Sequence, residues 1–266
     1  MMTQAQIQTD TTPVLEISGL TQRFGGLTAV NDFNVKLMPG ELSGLIGPNG
    51  AGKTTVFNLV SGFYQPTEGK ILIDGVPTAG LRPHKVTSLG VARTFQNIRL
   101  WNDMTVLDNI RVAQHYRLGY GFFHSVIRNR RYKQRETEIE QEANELLEVF
   151  DLQRYTEEFP KNLPYGTQRK LEIARALSSH PKLLLLDEPA AGLNSADVKE
   201  LIRLVRWIHE KFDVTIWMIE HHMDVMMELC NQIKVIDFGE TIAEGNPDDI
   251  RNNQAVITAY LGDDNI

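Results

Sequence analysis

The chain has 266 residues, 42% of them hydrophobic and 23% charged, which is enough apolar matter for one large core domain carrying a subdomain. A formal charge of −7 excludes general binding to nucleic acid, which needs a concentrated basic surface, and no apolar run reaches the length that spans a bilayer. The single cysteine, Cys230, excludes an internal disulfide and suits a reducing compartment.

Residues 1–13 are polar, lack the basic and apolar stretches of a secretion signal, and read as a flexible N-terminal tail. Short β-type runs follow at 14–18, 35–38, 42–46 and 71–73, and the turn-rich early ones predict an antiparallel flank. From about 97 to 178 the strand signal disappears and helical patterns occupy 106–118, 132–150 and 165–178, which predicts an inserted α-helical subdomain. Strand runs return at 183–186, 215–219 and 233–237. Several are apolar on both faces, and they alternate with helical patterns at 195–211 and 223–230, as 42–46 does with 53–61. That alternation predicts a parallel sheet covered by helices. The expected division is a tail, a nucleotide-binding core of 14–96 with 179–266, and a helical insert of 97–178.

The run Gly47-Pro48-Asn49-Gly50-Ala51-Gly52-Lys53-Thr54-Thr55 fits the phosphate-binding loop GxxxxGK[ST] and directly follows an apolar strand. Its glycines let backbone N–H groups wrap phosphate oxygens, and the helix that follows aims the positive end of its dipole at the same anion. Lys53 is expected to reach the β and γ phosphates and Thr54 to ligate Mg2+. Leu183-Leu184-Leu185-Leu186-Asp187-Glu188 reads alone as a plain sheet strand leaving the core. Beside a phosphate loop it reads as a site, with Asp187 orienting the ion and Glu188 polarising the attacking water as general base.

The motifs around these two runs resemble those of the ATP-binding-cassette (ABC) ATPases, in family order and over nearly the whole chain. Leu163-Pro164-Tyr165-Gly166-Thr167-Gln168-Arg169 resembles a degenerate LSGGQ signature, and Gln96 in Arg93-Thr94-Phe95-Gln96-Asn97 matches the Q-loop glutamine. Ala190-Ala191-Gly192-Leu193-Asn194 matches the D-loop, and His221 in Ile219-Glu220-His221-His222 matches the switch histidine. Phe24 stands where the family places the aromatic that stacks on adenine, although a strand-packing aromatic fits the same position.

The resemblance implies an α/β P-loop NTPase of the ABC-ATPase fold, with a mixed sheet core, an antiparallel β flank and the helical insert. It implies ATP and Mg2+ as cofactors, with Glu188, His221, Gln96 and Lys53 catalytic and Thr54, Gln96 and Asp187 around the metal. Phe24 and the run Gly47, Pro48, Asn49, Gly50, Ala51, Gly52, Lys53, Thr54 and Thr55 would bind the nucleotide. In this family two cassettes enclose ATP head to tail, so Tyr165, Gly166, Thr167 and Gln168 would face the partner's ATP and Gly192, Leu193 and Asn194 would form the D-loop. Pro164 and Tyr165 depart from the usual Ser and Gly, and Thr167 from the usual Gln. Either the grip on the partner's γ phosphate is weakened or only a helix start is reshaped.

Gly62 through Gly69, Gly90 through Leu100, Asp187 through Asn194, Ile250-Arg251-Asn252-Asn253 and Ala259-Tyr260-Leu261-Gly262 are similar to the ATPase of branched-chain amino acid importers. That implies ATP-driven uptake of hydrophobic amino acids. The expected partners are a second, non-identical ABC ATPase subunit, two transmembrane permease subunits and an extracytoplasmic solute-binding protein, with no nucleic acid. The chain would sit peripherally at the cytoplasmic face of the inner or plasma membrane and touch the membrane through the permease. A urea or amide importer, a lipid or lipopolysaccharide exporter and a soluble ABC ATPase remain open beside that reading. Ile98, Leu100, Trp101 and Met104 fit either a groove for a cytoplasmic permease helix or packing within the helical insert. Residues 120–123 with Arg128, Arg130, Arg131, Lys133 and Arg135, followed by a glutamate-rich run, fit either a basic tip facing lipid headgroups or a solvated helix.

Overall fold

The computed structural model describes residues 12–114 and 130–263. Most of the predicted tail, the end of the helix predicted over 106–118, the 120–123 run and Arg128 lie outside the described residues.

The central sheet has the strand order β10-β9-β3-β8-β7-β6. Its members are β3 (Leu42–Ile46), β6 (Val91–Arg93), β7 (Leu183–Asp187), β8 (Thr215–Ile219), β9 (Gln232–Asp237) and β10 (Glu240–Gly245). All neighbours run parallel except β10, which returns antiparallel along β9. A second, wholly antiparallel sheet has the order β2-β1-β4-β5, from β1 (Leu15–Phe24), β2 (Leu27–Leu37), β4 (Glu68–Ile73) and β5 (Val76–Pro77).

Alternate residues along the central strands feed two cores, as a pleat of period two requires. Leu183, Leu185, Trp217 and Ile219 point to the side shared with the antiparallel sheet and α1 (Lys53–Val60). There Trp217 lies 5.0 Å from Phe57 and 6.4 Å from Phe33, ring centre to ring centre. Leu184, Leu186, Ile216 and Met218 point to the opposite side, against α6 (Ser195–Lys211) and α7 (Met223–Leu229). Burial on both faces is why β3, β7 and β8 read as continuous apolar runs.

Among the described residues between β6 and β7 only helices occur: α3 (Val106–Gln114), α4 (Arg130–Val149), α5 (Tyr165–Leu177) and two short 3-10 turns. No described helix is long and apolar enough to cross a membrane. Elsewhere α2 (Pro83–Ser88) precedes β6, and α8 (Pro247–Arg251) and α9 (Gln254–Asp263) close the described chain.

Several elements differ from the sequence reading. β1 and β2 run well beyond 14–18 and 35–38, because antiparallel pairing with register shifts carries the strands through polar stretches such as Thr21-Gln22. β6 is three residues long, too short for any periodic signal, and β10 is a mostly solvated edge strand with little apolar alternation.

Cys230 sits in the second core at 4% exposure, and burial pushes its thiol up to about 12. The core favours the neutral thiol, so this group's contribution to stability is complete below its ordinary value of 9.0 and declines as the pH climbs toward 12. Alkylation of Cys230 at pH 8 is expected to be at least about a hundredfold slower in the native protein than in urea. Equal rates in a timed iodoacetamide quench would show the thiol to be accessible.

Candidate functional site

The loop between β3 and α1 is shaped by its glycines. Gly47 has φ 154°, and a Cβ there would stand 2.0 Å from the Ile236 carbonyl oxygen, so no side chain fits. The helix begins at Lys53 with no side-chain cap, which leaves the N–H groups of its first turn for an anion. Lys53 is 5% exposed, and its Nζ donates to the Gly47 and Pro48 carbonyl oxygens at 2.6 and 2.8 Å. The loop thus holds its own cation against its entrance carbonyls. Asn49, Gly50 and Thr54 are exposed, while Gly47, Pro48 and Ala51 are buried.

A cavity of about 560 Å³ is lined by residues 49–55 together with Phe24, Glu188, His221 and Phe238. Phe24 lies outside both cores, 42% exposed, with its ring edge-on to Tyr64 at 5.3 Å. Its placement therefore departs from the strand-packing alternative. Phe238, 87% exposed at the β9–β10 turn, lines the same cavity and was not singled out from the sequence. An aromatic beside Gly239 in a turn that offers no burial was the signal available.

Glu188 follows β7 at φ 47° and gathers two of the predicted catalytic residues, Gln96 and His221. One carboxylate oxygen lies 2.7 Å from His221 Nε2, and the other accepts from Gln96 Nε2 at 2.6 Å. Its neighbour Asp187 is held by an arginine that sequence reasoning quoted but gave no role. Arg93 donates from NH2 to Asp187 Oδ2 at 2.7 Å, with both side chains almost fully buried, and from NH1 to Asn58 at 2.9 Å. Burial lowers the Arg93 pKa, and Asp187 opposes that shift. Strand pairing between β6 and β7 creates this contact, which is why no local pattern announces it.

Thr54, Gln96 and Asp187 line one cavity of about 380 Å³ with Arg93. Their donors are a hydroxyl, an amide and a carboxylate, all hard oxygen groups. Among the described residues no cluster of three or more His, Cys, Asp or Glu forms a metal cage. A single carboxylate with neutral oxygen donors fits Mg2+ shared with phosphate oxygens.

Glu220, another residue missed from the sequence, is 1% exposed and accepts from the backbone N–H groups of Ala190 at 2.6 Å, His221 at 3.0 Å and His222 at 3.4 Å. Burial raises its pKa while those donors oppose the shift. It pins the start of the Ala190–Asn194 loop to the segment that carries His221. In the C-terminal helix, the Tyr260 hydroxyl is sealed from solvent and pushed up to about 12 by burial, with the Gly47 amide facing it.

The signature residues lie apart from the chain's own phosphate loop. Pro164, Gly166 and Thr167 line a different, smaller cavity with Leu193 and Asp197. Pro164 is the N-cap of α5 and makes no side-chain cap, and Gln168 Nε2 donates back to the Leu163 carbonyl at 2.9 Å. Gly192 has φ 76°, Leu193 packs on the core, and Asn194 caps α6 by accepting from Ala196 and Asp197 at 2.9 and 3.0 Å. Of the four apolar residues after Gln96, Leu100 and Trp101 line a groove of about 870 Å³ with Arg93, Arg99 and Arg175. Ile98 and Met104 do not line it, so the predicted quartet reduces to a pair.

Residues 30–191 match the ABC transporter family model, and residues 240–265 match that of the branched-chain amino acid ATP-binding cassette transporter. The chain is 45% identical over 251 residues to the high-affinity branched-chain amino acid transport ATP-binding protein BraF of Pseudomonas aeruginosa, covering 94% of this chain and 98% of the relative. The corresponding LivG of Escherichia coli gives the same identity and coverage. The solved ADP conformation of MJ1267, an ATP-binding cassette of an ABC transporter, superposes with a TM-score of 0.81 at 26% identity over 95% of this chain and 100% of that one. With its phosphate loop, its two acids and these relatives over nearly its full length, the chain belongs to the ABC transporter family as an ATP-hydrolysing cassette.

Proposed function

We propose that this chain hydrolyses ATP as one cassette of a complex that imports branched-chain amino acids. The observation that carries hydrolysis is the Glu188 carboxylate, bridged by Gln96 and His221 beside the phosphate loop. Branched-chain specificity is supported by the relatives named for that transport and by the match at 240–265.

ATP lies along the loop, its phosphates on the N–H groups of residues 50–55 and its base toward Phe24. Lys53 exchanges its loop carbonyls for β- and γ-phosphate oxygens. Thr54, Gln96 and Asp187 would hold Mg2+, which would neutralise the charge that builds on the phosphates. Glu188 accepts a proton from water as that water's oxygen bonds to the γ phosphorus and the bond to ADP breaks. Gln96 and His221 fix the carboxylate in place, so little reorganisation accompanies the step.

Residues 14–96 and 179–266 form the nucleotide-binding core in this reading, and 97–178 the helical subdomain, with residues 1–13 as a tail. A second cassette, non-identical by this reading, places its nucleotide against Tyr165, Gly166, Thr167 and Gln168. Pro164 brings no hydroxyl there, so the amides after Gly166 and the Thr167 hydroxyl carry the grip. Two permease subunits and an extracytoplasmic binding protein complete the assembly. The chain is then peripheral at the cytoplasmic face of the membrane, and the groove at Leu100 and Trp101 receives a cytoplasmic helix of the permease.

Glu188→Gln keeps the shape of the side chain and removes the base. Steady MgATP turnover by the purified complex is expected to fall about a hundredfold or more while ATP binding persists. Near-normal turnover would remove Glu188 from the mechanism.

In a strain lacking this gene, uptake of labelled leucine, isoleucine and valine is expected to be lost and restored by the gene, with urea and short amides unaffected. Loss of urea uptake alone would reassign the solute.

Trp101 is 44% exposed, and Asn109 holds its backbone N–H and C=O at 2.9 and 3.0 Å, so its side chain can change with little cost to the fold. Trp101→Glu is expected to cut transport about tenfold or more while ATPase activity stays within about twofold. Transport at normal rates would reject the groove as a docking site.

A further inference from the structure

We infer that Tyr165 is a positioning residue for hydrolysis, acting through its hydroxyl on the Glu188 backbone and on Gln96, one of the two supports of the Glu188 carboxylate; this rests on the roles of Glu188 and Gln96 given above. Tyr165 opens α5, and its hydroxyl donates to the Ala191 carbonyl oxygen at 3.2 Å. The same hydroxyl accepts from Arg169 NH2 at 3.3 Å. It therefore stands where the signature helix, the loop after Glu188 and the loop that carries Gln96 meet.

Each of those contacts leads back to the site. Ala191 closes a turn onto Glu188 through its N–H, 3.1 Å from the Glu188 carbonyl oxygen. Arg169 reaches the other way, donating to the Phe95 carbonyl at 2.7 Å and the Gln96 carbonyl at 2.8 Å. The Gln96 side chain then returns to the Glu188 carboxylate at 2.6 Å. Tyr165, Ala191, Glu188, Gln96 and Arg169 thus form a closed ring of bonds.

The ring is stiff where it is buried. Arg169 is 1% exposed and Glu172 0%, paired at 2.6 Å, and Glu172 also accepts from the Arg99 N–H at 3.1 Å. A charge pair at that depth does not yield its geometry cheaply. Gly192 lets the loop pass close to the tyrosine ring, since it has φ +76° and a Cβ there would meet Tyr165 Cε1 at 3.3 Å. Tyr165 itself is 43% exposed, at the helix end where the proposed second cassette would present its nucleotide. A shift of that helix end moves Ala191 and Gln96 together, and with them the Glu188 backbone and the carboxylate that Gln96 holds. The effect falls on the rate of the chemical step and not on the grip of this chain's own loop on ATP.

The test is MgATP hydrolysis by the purified complex carrying Tyr165→Phe, Tyr165→Ala or, as a control, Glu188→Gln. Phenylalanine keeps the ring against Gly192 and removes only the hydroxyl. The expected result is a fall in kcat of about three- to tenfold for Tyr165→Phe, the size of one or two lost hydrogen bonds, with KM for ATP within about twofold and Tm unchanged. Tyr165→Ala should lose about the same. A wild-type kcat in Tyr165→Phe with a loss only in Tyr165→Ala would assign the residue to ring packing and overturn the proposal. So would a raised KM at constant kcat, or a loss that tracks a fall in Tm. If Glu188→Gln is inactive and Tyr165→Phe is normal, the ring alone fails; if Glu188→Gln still turns over, the reading of the site fails and the ring with it.

Discussion

The structure depends on one electrostatic constraint: two adjacent carboxylates, Asp187 and Glu188, leave the core at the end of a strand buried on both faces. Carboxylate oxygens at that depth need partners, and the fold supplies a different kind to each. Asp187 has the guanidinium of Arg93, from the neighbouring strand. Glu188 has an amide and an imidazole, groups that orient it without permanently neutralising it. A carboxylate meant to take a proton must not be locked to an arginine, whereas one meant to lie beside a cation can be. Breaking a buried pair such as Arg93–Asp187 by removing one member costs about 3–5 kcal/mol, because the other charge is left without compensation.

A second constraint follows from the sheet being parallel. All of its strands except β10 end on the same side, so the loops after β3, β7 and β8 converge there. Lys53, Glu188 and His221 come from those three loops, and β6 contributes Arg93 and the approach to Gln96. Glu220 then ties the loop after β7 to the loop after β8 through three backbone N–H groups, so the Glu188 and His221 segments do not drift independently.

What was legible in the sequence was whatever a local pattern encodes. The phosphate loop is a contiguous run, the apolar strands β3, β7 and β8 announce burial on both faces, and the helical pattern over 195–211 coincides with α6. Phe24, Gln96 and His221 came from motif order; the structure has Phe24 at the cavity of the phosphate loop and Gln96 and His221 against the Glu188 carboxylate. What was not legible depends on pairs far apart in the chain. Arg93 gains a role only because β6 lies against β7, and Glu220 only because the loop at Ala190 passes over it. Phe238 stands in a turn where sequence offers no periodicity, and β6 and β10 are too short or too solvated to carry one. Tyr165 was legible only as a departure from a motif, and its bond to Ala191 spans 26 positions.

Arg93 also connects the surface to the acids. It lines the groove that contains Leu100 and Trp101, and it lines the cavity shared by Thr54, Gln96 and Asp187. Its guanidinium is packed among Phe57, Phe63 and Phe95, with centroids 5.0 to 6.0 Å away, so it does not swing freely. A helix seated in the groove, as proposed, would press on a side chain whose far end is bonded to Asp187. The same groove is bordered by Arg99, whose backbone N–H is held by Glu172, the buried partner of Arg169. Groove, Q-loop and signature helix are thus joined through three arginines, Arg93, Arg99 and Arg169, and one glutamate, Glu172. The buried members of this junction, Arg169 and Glu172, are close-packed and tie the signature helix to the backbone of the Gln96 loop.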